Sequence, residues 1–468
     1  MMKLPRVMIS GASSGSGKTL VTCGILRAFQ NRGYRMASFK CGPDYIDPMF
    51  HSEIIGAKSR NLDTFFCEEE TVKYLFGKTA KDADLSVIEG VMGYYDGMKG
   101  TSTQASSYEL AKVTKTPVIL VVNCKGMSLS VIAMIKGFLE YKKDSRIVGV
   151  ILNQMSPKIY EDIKEVLEAE LPVKALGYVP FVRDLVIESR HLGLVTPEKV
   201  DHLQEKLDEL AKVFEETLDL DQIWNIANCV EELTYDPPEL PKIEGSPVIA
   251  VARDEAFCFY YQDNLELLKV MGANLVEFSP LHDKELPSGI SGLILGGGYP
   301  ELAAKQLSDN ESLRASIKES LLKGLPCIAE CGGFMYLHDT MEDMDKVSHT
   351  MVGAISGKVY KTERLNRFGY ITLTSKQDQM LASEGEKTRG HEFHYFDSSS
   401  CGNSFLAKKP LRDTQWDCIH GNDRLAAGFP HLYYYSNPKM PYGFLQSCLN
   451  YADEQRRNLH QVYENIHQ

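Results

Sequence analysis

The chain has 468 residues, 43% of them hydrophobic and 24% charged, and a formal net charge of −12. That length suits two or three domains with sizeable cores, and the acidic balance argues against nucleic acid or an anionic membrane as a partner. No run of 18 apolar residues occurs, so no membrane span is expected. The opening MMKLPRVMIS is too short in its apolar part for a signal peptide, and the 11 cysteines form no CxxC pair. A cytoplasmic protein with reduced thiols is therefore expected.

Residues 6–10 (RVMIS) predict a buried strand, and KTLVTCGILRAFQNRG after it has apolar residues at helical spacing up to Gly33. MASFK, 85–90 (LSVIEG), 117–123 (PVILVVN) and 147–154 (IVGVILNQ) are further strands. Their unbroken apolar character suits a parallel sheet covered on both faces. Residues 128–141 and 156–171 read as helices between and after them, so residues 1–230 are expected to form an α/β domain. A charged helical stretch, 197–227, closes it. Residues 231–246, rich in Pro and acidic residues, read as a linker. Strand–helix alternation restarts at 248–253 (VIAVAR) and continues through NLVEFSP, GLILGGG and PCIAECGG, giving a second α/β domain over 247–450. The charged tail, 451–468, reads as a surface helix or a frayed end.

Between the first strand and helix lies SGASSGSGKT. Its Lys18 and Thr19 follow Gly15 and Gly17 as in a phosphate loop, but the first glycine is Gly11, one residue early for G-x-x-x-x-G-K-[ST]. Backbone N–H groups and the helix N-terminus would face phosphate oxygens, Lys18 would reach the terminal phosphates, and Thr19 would ligate Mg²⁺. A Gly/Ser turn with a surface lysine is the plainer alternative, which the strand–loop–helix context disfavours. FKCGPDYIDP supplies Lys40, Asp44 and Asp47, and VIEGVMGYYDG supplies Glu89 and Asp96. Asp47 and Glu89 are candidate Mg²⁺ ligands beside Thr19, although an Asp in a loop serves equally as a cap. Asn153, at a strand end, is a candidate for reading adenine or for capping a turn.

A second chemistry sits in LPCIAECGGFMYL. Cys331 follows a short strand and precedes Gly332 and Gly333, the pattern of a nucleophile elbow that strains the turn, exposes the sulfur and favours thiolate. Cys327 reads as structural. LILGGGYPE offers backbone N–H groups at Gly297 and Gly298, with Gly332, for an oxyanion. His431 in AAGFPHLYYYSNP is the candidate base. His391 and His394 in RGHEFHYF are rivals, whose spacing also raises zinc, though no Cys or Asp cluster completes such a site.

The G-x5-G-K-T loop is similar to that of dethiobiotin synthetase, and Ser13 replaces the early lysine of the partition ATPases. Together, SSGSGKT, KCGPDYIDP, EGVMGYYDG, SRHLGL, LGGGYPE, ECGGFMYL, GHEFHY and PHLYYYSNP resemble the cobyrinic acid a,c-diamide synthase family over nearly the whole chain. The resemblance implies a P-loop-type synthetase domain followed by a class I glutamine amidotransferase-like domain, with ATP and Mg²⁺ as cofactors. It implies that Cys331, assisted by His431, releases ammonia from L-glutamine. An acyl phosphate made with ATP would then accept that ammonia, at the a and c acetates of a corrin. Class I enzymes usually carry a Glu two residues after the histidine, where this chain has Tyr433. Asp44, Tyr45 and Asp96 are candidate substrate residues. A polycarboxylate also needs local cations, for which Arg190, His191, Arg364, Arg367 and His391 are candidates, with Lys361 and Arg389 beside them. Hydrogenobyrinate and nickel sirohydrochlorin remain alternative macrocycles. A nucleotide switch with an inactive glutaminase domain is the alternative of another class, and a homodimer is the candidate assembly.

Overall fold

The five apolar runs of the first half become the inner strands of one parallel sheet. The computed structural model describes residues 3–181 and 197–466, and the chain divides into two units, Met1–Pro238 and Glu239–Gln468. The first contains β1 (Arg6–Gly11), β2 (Met36–Cys41), β3 (Lys58–Leu62), β4 (Leu85–Glu89), β5 (Val118–Asn123), β6 (Ile147–Asn153) and β7 (Lys174–Val179). Their order is β3-β2-β4-β1-β5-β6-β7, with every pair parallel. The two edge strands, β3 (KSRNL) and β7 (KALGYV), carry no continuous apolar run because one side of each lacks a neighbour, and sequence patterning passes over both.

Helix α1 (Lys18–Asn31) follows β1 and ends just before Gly33, whose φ of 90° suits a residue without a Cβ. The stretch 197–227 is two helices rather than one, Pro197–Thr217 and Leu220–Asn228. Asp219 breaks it and caps the second helix by accepting from the Gln222 backbone N–H at 2.9 Å. Leu207, Leu210, Phe214 and Ile223 from these helices join the core around β1 and α1. Beyond them the chain runs without helix or strand until β8. Its start is fastened to the first unit, since buried Arg6 donates to the Glu231 carbonyl at 2.9 Å.

The second unit contains β8 (Val248–Ala252), β9 (Asn274–Phe278), β10 (Gly292–Leu295), β11 (Cys327–Glu330), β12 (His338–Glu342), β13 (Ser348–Thr350), β14 (Ile355–Ser375), β15 (Lys387–Ser398), β16 (Phe405–Lys408), β17 (Gln415–Cys418), β18 (His420–Gly421), β19 (Leu425–Gly428) and β20 (His431–Leu432). One sheet has the order β18-β19-β11-β10-β8-β9, parallel except at its β18 edge. The other has the order β13-β12-β14-β15-β20, with β16 on β14 and β17 on β16. It is built around the long β14–β15 hairpin, bulged between Lys361 and Gly369. The tail is one helix, Lys439–Ile466. Among the described residues no helix is long and apolar enough to cross a membrane.

Candidate functional site

The loops after β1, β2 and β4 meet the end of β6 at the carboxyl edge of the first sheet, where open parallel sheets bind ligands. Gly15 and Gly17 take φ of 74° and 94°, and α1 begins directly at Lys18. The loop braces itself: Ser13 N–H donates to Ser16 Oγ at 3.0 Å, and Ser16 Oγ–H to the Ser13 carbonyl at 2.8 Å. Lys18 Nζ folds back to the carbonyls of Ser13 (3.1 Å) and Met92 (2.6 Å). Burial first, then the nearby Lys40 ammonium, lowers the Lys18 pKa to about 8. Asn153 lies against the same loop. Its Nδ2 donates to the Ser16 carbonyl at 2.9 Å, and a Cβ at Gly17 would stand 2.2 Å from it.

Behind the loop is a buried charge cluster. Lys40 Nζ is ion-paired to Glu89 at 2.9 Å and to Asp47, with Asp44 at 4.0 Å. Thr19 Oγ1 donates to Glu89 Oε1 at 2.7 Å. Burial is the largest single influence and works against ionising Glu89, but the Lys40 ammonium and then His51 together outweigh it and hold Glu89 well below the usual carboxylate range. Asp47 goes the other way, because burial and then Glu89 push it up to about 7. His51, which no motif singles out, stands behind Glu89 with Nε2 3.4 Å from Oε2, while its Nδ1 is 2.6 Å from Ser38 Oγ. Asp44 Oδ1 accepts from Ile46 N–H (2.8 Å) and Asp47 N–H (3.2 Å), and Tyr45 beside it is buried. Asp96 Oδ2 accepts from Gly93 N–H at 2.9 Å, in the loop whose Tyr94 N–H donates to the Gly11 carbonyl. Glu89→Gln would leave a buried ammonium undercompensated. A loss of about 3–5 kcal/mol is expected, read as a lower urea midpoint at unchanged slope. An unmoved midpoint would mean that Glu89 does not hold Lys40.

The second cluster is at the carboxyl ends of β10, β11 and β19. Cys331 has φ 48° and ψ −103°, a conformation that costs an L-residue about 1–3 kcal/mol, and the helix Gly332–Tyr336 follows at once. The elbow is locked to its neighbours: Cys331 N–H donates to the Gly428 carbonyl at 2.8 Å and Gly333 N–H to the Gly296 carbonyl at 2.9 Å. A Cβ at Gly332 would lie 3.2 Å from Gly298 N, and one at Gly297 would lie 2.6 Å from His431 Cε1. The three glycines expected at an oxyanion therefore gather between Cys331 and His431. One expectation is corrected. The turn is strained, but Cys331 is buried in the apolar core of this unit, and burial, then Glu301, pushes its thiol up rather than toward thiolate. Glu301 itself, two residues past Tyr299 and given no role by the sequence, is pushed up to about 7 by burial.

His431 is buried on β20, directly opposite His391 of β15, and their rings stack at 4.9 Å. His391 Nδ1 is 3.2 Å from Tyr261 Oη, and burial, then His431, lowers it well below the ordinary histidine range. An uncharged, enclosed His391 is thus no cation for a carboxylate, which corrects its place in the basic cluster. His394 pairs instead with Glu392 at 2.9 Å and stacks on Phe429 at 4.0 Å. No group of three or more His, Cys, Asp or Glu that could hold a metal occurs among the described residues. Arg367 grips both Asp397 oxygens at 2.9 and 3.0 Å, whereas Arg364 is exposed. Lys361 Nζ donates to the Met344 carbonyl at 2.9 Å. Arg190 and His191 lie outside the described residues.

Residues 7–194 match the CobQ/CobB/MinD/ParA nucleotide binding domain, and residues 248–434 match the CobB/CobQ-like glutamine amidotransferase domain. The cobyrinate a,c-diamide synthase of Caldanaerobacter subterraneus subsp. tengcongensis is 41% identical over 95% of this chain and 98% of its own. Those of Priestia megaterium and Thermoplasma volcanium are 37% and 38% identical, each over 96% of this chain and 98% and 99% of theirs. With a nucleotide-binding domain and a glutamine amidotransferase domain in that order, the chain belongs to the cobyrinate a,c-diamide synthase family.

Proposed function

We propose that the chain uses ATP and L-glutamine to amidate the a and c acetate carboxylates of cobyrinate in cobalamin biosynthesis. The observation that carries this reading is the pairing, on one chain, of a phosphate loop backed by an acidic cluster with a Cys–Gly–Gly elbow facing a histidine. Glutamine is cleaved in the second unit. The Cys331 sulfur attacks the side-chain amide carbon, its proton passes to His431, and the N–H groups of Gly297, Gly298 and Gly332 receive the charge on the carbonyl oxygen. His431 then gives its proton to the leaving nitrogen, ammonia departs, and water hydrolyses the thioester to glutamate. The buried, uncharged thiol suits a nucleophile that is deprotonated only as it attacks.

A carboxylate is a poor acceptor of ammonia because its oxide is a poor leaving group. Transfer of the terminal phosphoryl group of ATP to it supplies a good one. The donor set in the first unit fits Mg²⁺: Thr19, Asp47 and Glu89 present hard oxygens, and the two carboxylates already share one buried cation, Lys40. Mg²⁺ bound there would neutralise charge on the transferring phosphate. Lys18 adds a second positive charge at the phosphates, and the loop amides orient them. Asn153 keeps the Gly17 turn in shape through its bond to the Ser16 carbonyl. Arg364, exposed on β14, is a cation a polycarboxylate could meet.

Purified chain given ATP, Mg²⁺ and glutamine, with cobyrinate, hydrogenobyrinate or nickel sirohydrochlorin in parallel, is expected to form a diamide fastest from cobyrinate. Mass spectrometry of the products tests this. A clear preference for the metal-free or nickel ring would move the assignment to that substrate, and glutamine and ATP turnover without any amide would sink it.

A further inference from the structure

The family's amidotransferase domain has a histidine to move protons, but Tyr433 stands where class I relatives carry the acid that orients it. Tyr433 Oη is 3.4 Å from Asp263 Oδ2 and its ring packs edge-on against Tyr261, and a phenol brings no carboxylate to the histidine. A different carboxylate faces His431. Glu330, the last residue of β11 and the neighbour of Cys331, places Oε2 3.6 Å from His431 Nδ1. Its other oxygen, Oε1, accepts from the Leu432 backbone N–H at 3.4 Å, and the side chain is only 14% exposed. The carboxylate is therefore anchored on β20 at the residue after the histidine it faces. The ring on the other side of His431, His391, is uncharged.

We propose that Glu330 is the positioning acid of the glutaminase centre, supplied from the strand of the nucleophile instead of the strand of the base. The carboxylate accepts a hydrogen bond from the Nδ1–H of His431 and so holds the tautomer whose Nε2 lone pair receives the Cys331 proton. The 3.6 Å separation tightens to a hydrogen bond as the imidazolium forms, as catalytic contacts do on the way to the transition state. The strained elbow has a second use on this reading. It turns the chain so sharply that adjacent residues serve opposite sides of one imidazole, Cys331 as nucleophile and Glu330 as orienter.

The inference rests on reading the second unit as a glutaminase, and the test separates the two. Glutamine hydrolysis and ammonia-driven amidation are measured on the full-length wild type and on Glu330→Ala, Glu330→Gln and Glu330→Asp. Glu330→Ala should lower kcat for glutamine by about 100-fold or more with KM within about twofold, because the lost interaction matters only in the transition state. Glu330→Asp should recover part of that kcat, and amidation from free ammonia should stay at the wild-type rate. Glu330→Ala at wild-type kcat overturns the proposal, as does a defect confined to KM, which would make Glu330 a glutamine-binding group. If Glu330→Ala also loses ammonia-driven amidation, the isosteric Glu330→Gln decides on the same kcat criterion. A wild-type chain that does not hydrolyse glutamine overturns the glutaminase reading and this inference with it.

Discussion

Cys331→Ala is expected to abolish amidation driven by glutamine, by at least about 1,000-fold, and to leave amidation driven by free ammonia intact. On the proposed reading the sulfur is the nucleophile, set on the strained turn beside Gly332 and Gly298 and next to the Gly297 turn that abuts His431. Truncation to Ala removes one atom from a buried site and leaves the backbone bonds to Gly428 and Gly296 untouched, so the elbow and the fold should survive. The ammonia arm makes the result specific. Ammonia enters the reaction after the thioester step, so a chain that has lost only its glutaminase still makes amide from it. Loss of both activities would mark Cys331 as structural. Retention of both would mean that the elbow is not where glutamine is cleaved. Measuring glutamate and amide product in the same reactions distinguishes the three outcomes.

What could be read from the sequence follows from where free energy is local. The inner strands β1, β2, β4, β5 and β6 announce themselves because both faces are buried, so apolar residues run without interruption. β3 and β7 do not, because an edge strand needs fewer apolar residues. The β14–β15 sheet was not legible for a related reason: its long strands are partly exposed and bulged, which breaks the period on which strand patterning depends. The same division holds at the sites. The phosphate loop and the Cys331 elbow are built from consecutive residues whose glycines and lysine or cysteine must stand in fixed order, so the pattern survives in one dimension. Glu330 and His51 are different. Glu330 reaches a histidine 101 positions away across two strands, and His51 meets Glu89 only because β2 and β4 are neighbours. Nothing near either residue in sequence reports that contact. His391 shows the opposite error: a histidine among arginines reads as a cation, and only its burial against His431 reveals a neutral ring.

Lys18→Met should eliminate amidation from either nitrogen source while leaving glutamine hydrolysis in place, and it should do so without weakening the fold. The loss of function follows from charge: the transferring phosphate has fewer cations to face, and removal of one such group costs about 100- to 1,000-fold. The stability argument starts from the same lysine. Its pKa falls from 10.5 to about 8 because burial and the Lys40 ammonium both oppose its charge. Below pH 8 it is protonated in the folded and the unfolded chain alike, and the folded state bears the full cost, about 3 kcal/mol. Two charged hydrogen bonds, to the carbonyls of Ser13 and Met92, return about 1.5–3 kcal/mol each in favourable geometry, and those bonds are already part of how far the lysine remains charged. Methionine keeps most of the alkyl packing and carries no charge, so the melting temperature of the variant at pH 7 should not lie below that of the wild type. The pH dependence fixes the sign. Between pH 8 and 10.5 the folded chain releases the Lys18 proton before the unfolded chain does, so the wild type should gain stability relative to Lys18→Met across that interval. Melting curves of both chains at pH 7, 8, 9 and 10 test it. A constant difference across that range, or a wild type that loses ground as the pH rises, would mean that the loop holds its lysine without electrostatic strain. The phosphate site would then owe its lysine to packing, and the charge it is meant to bring to ATP would have to come from elsewhere in the cluster.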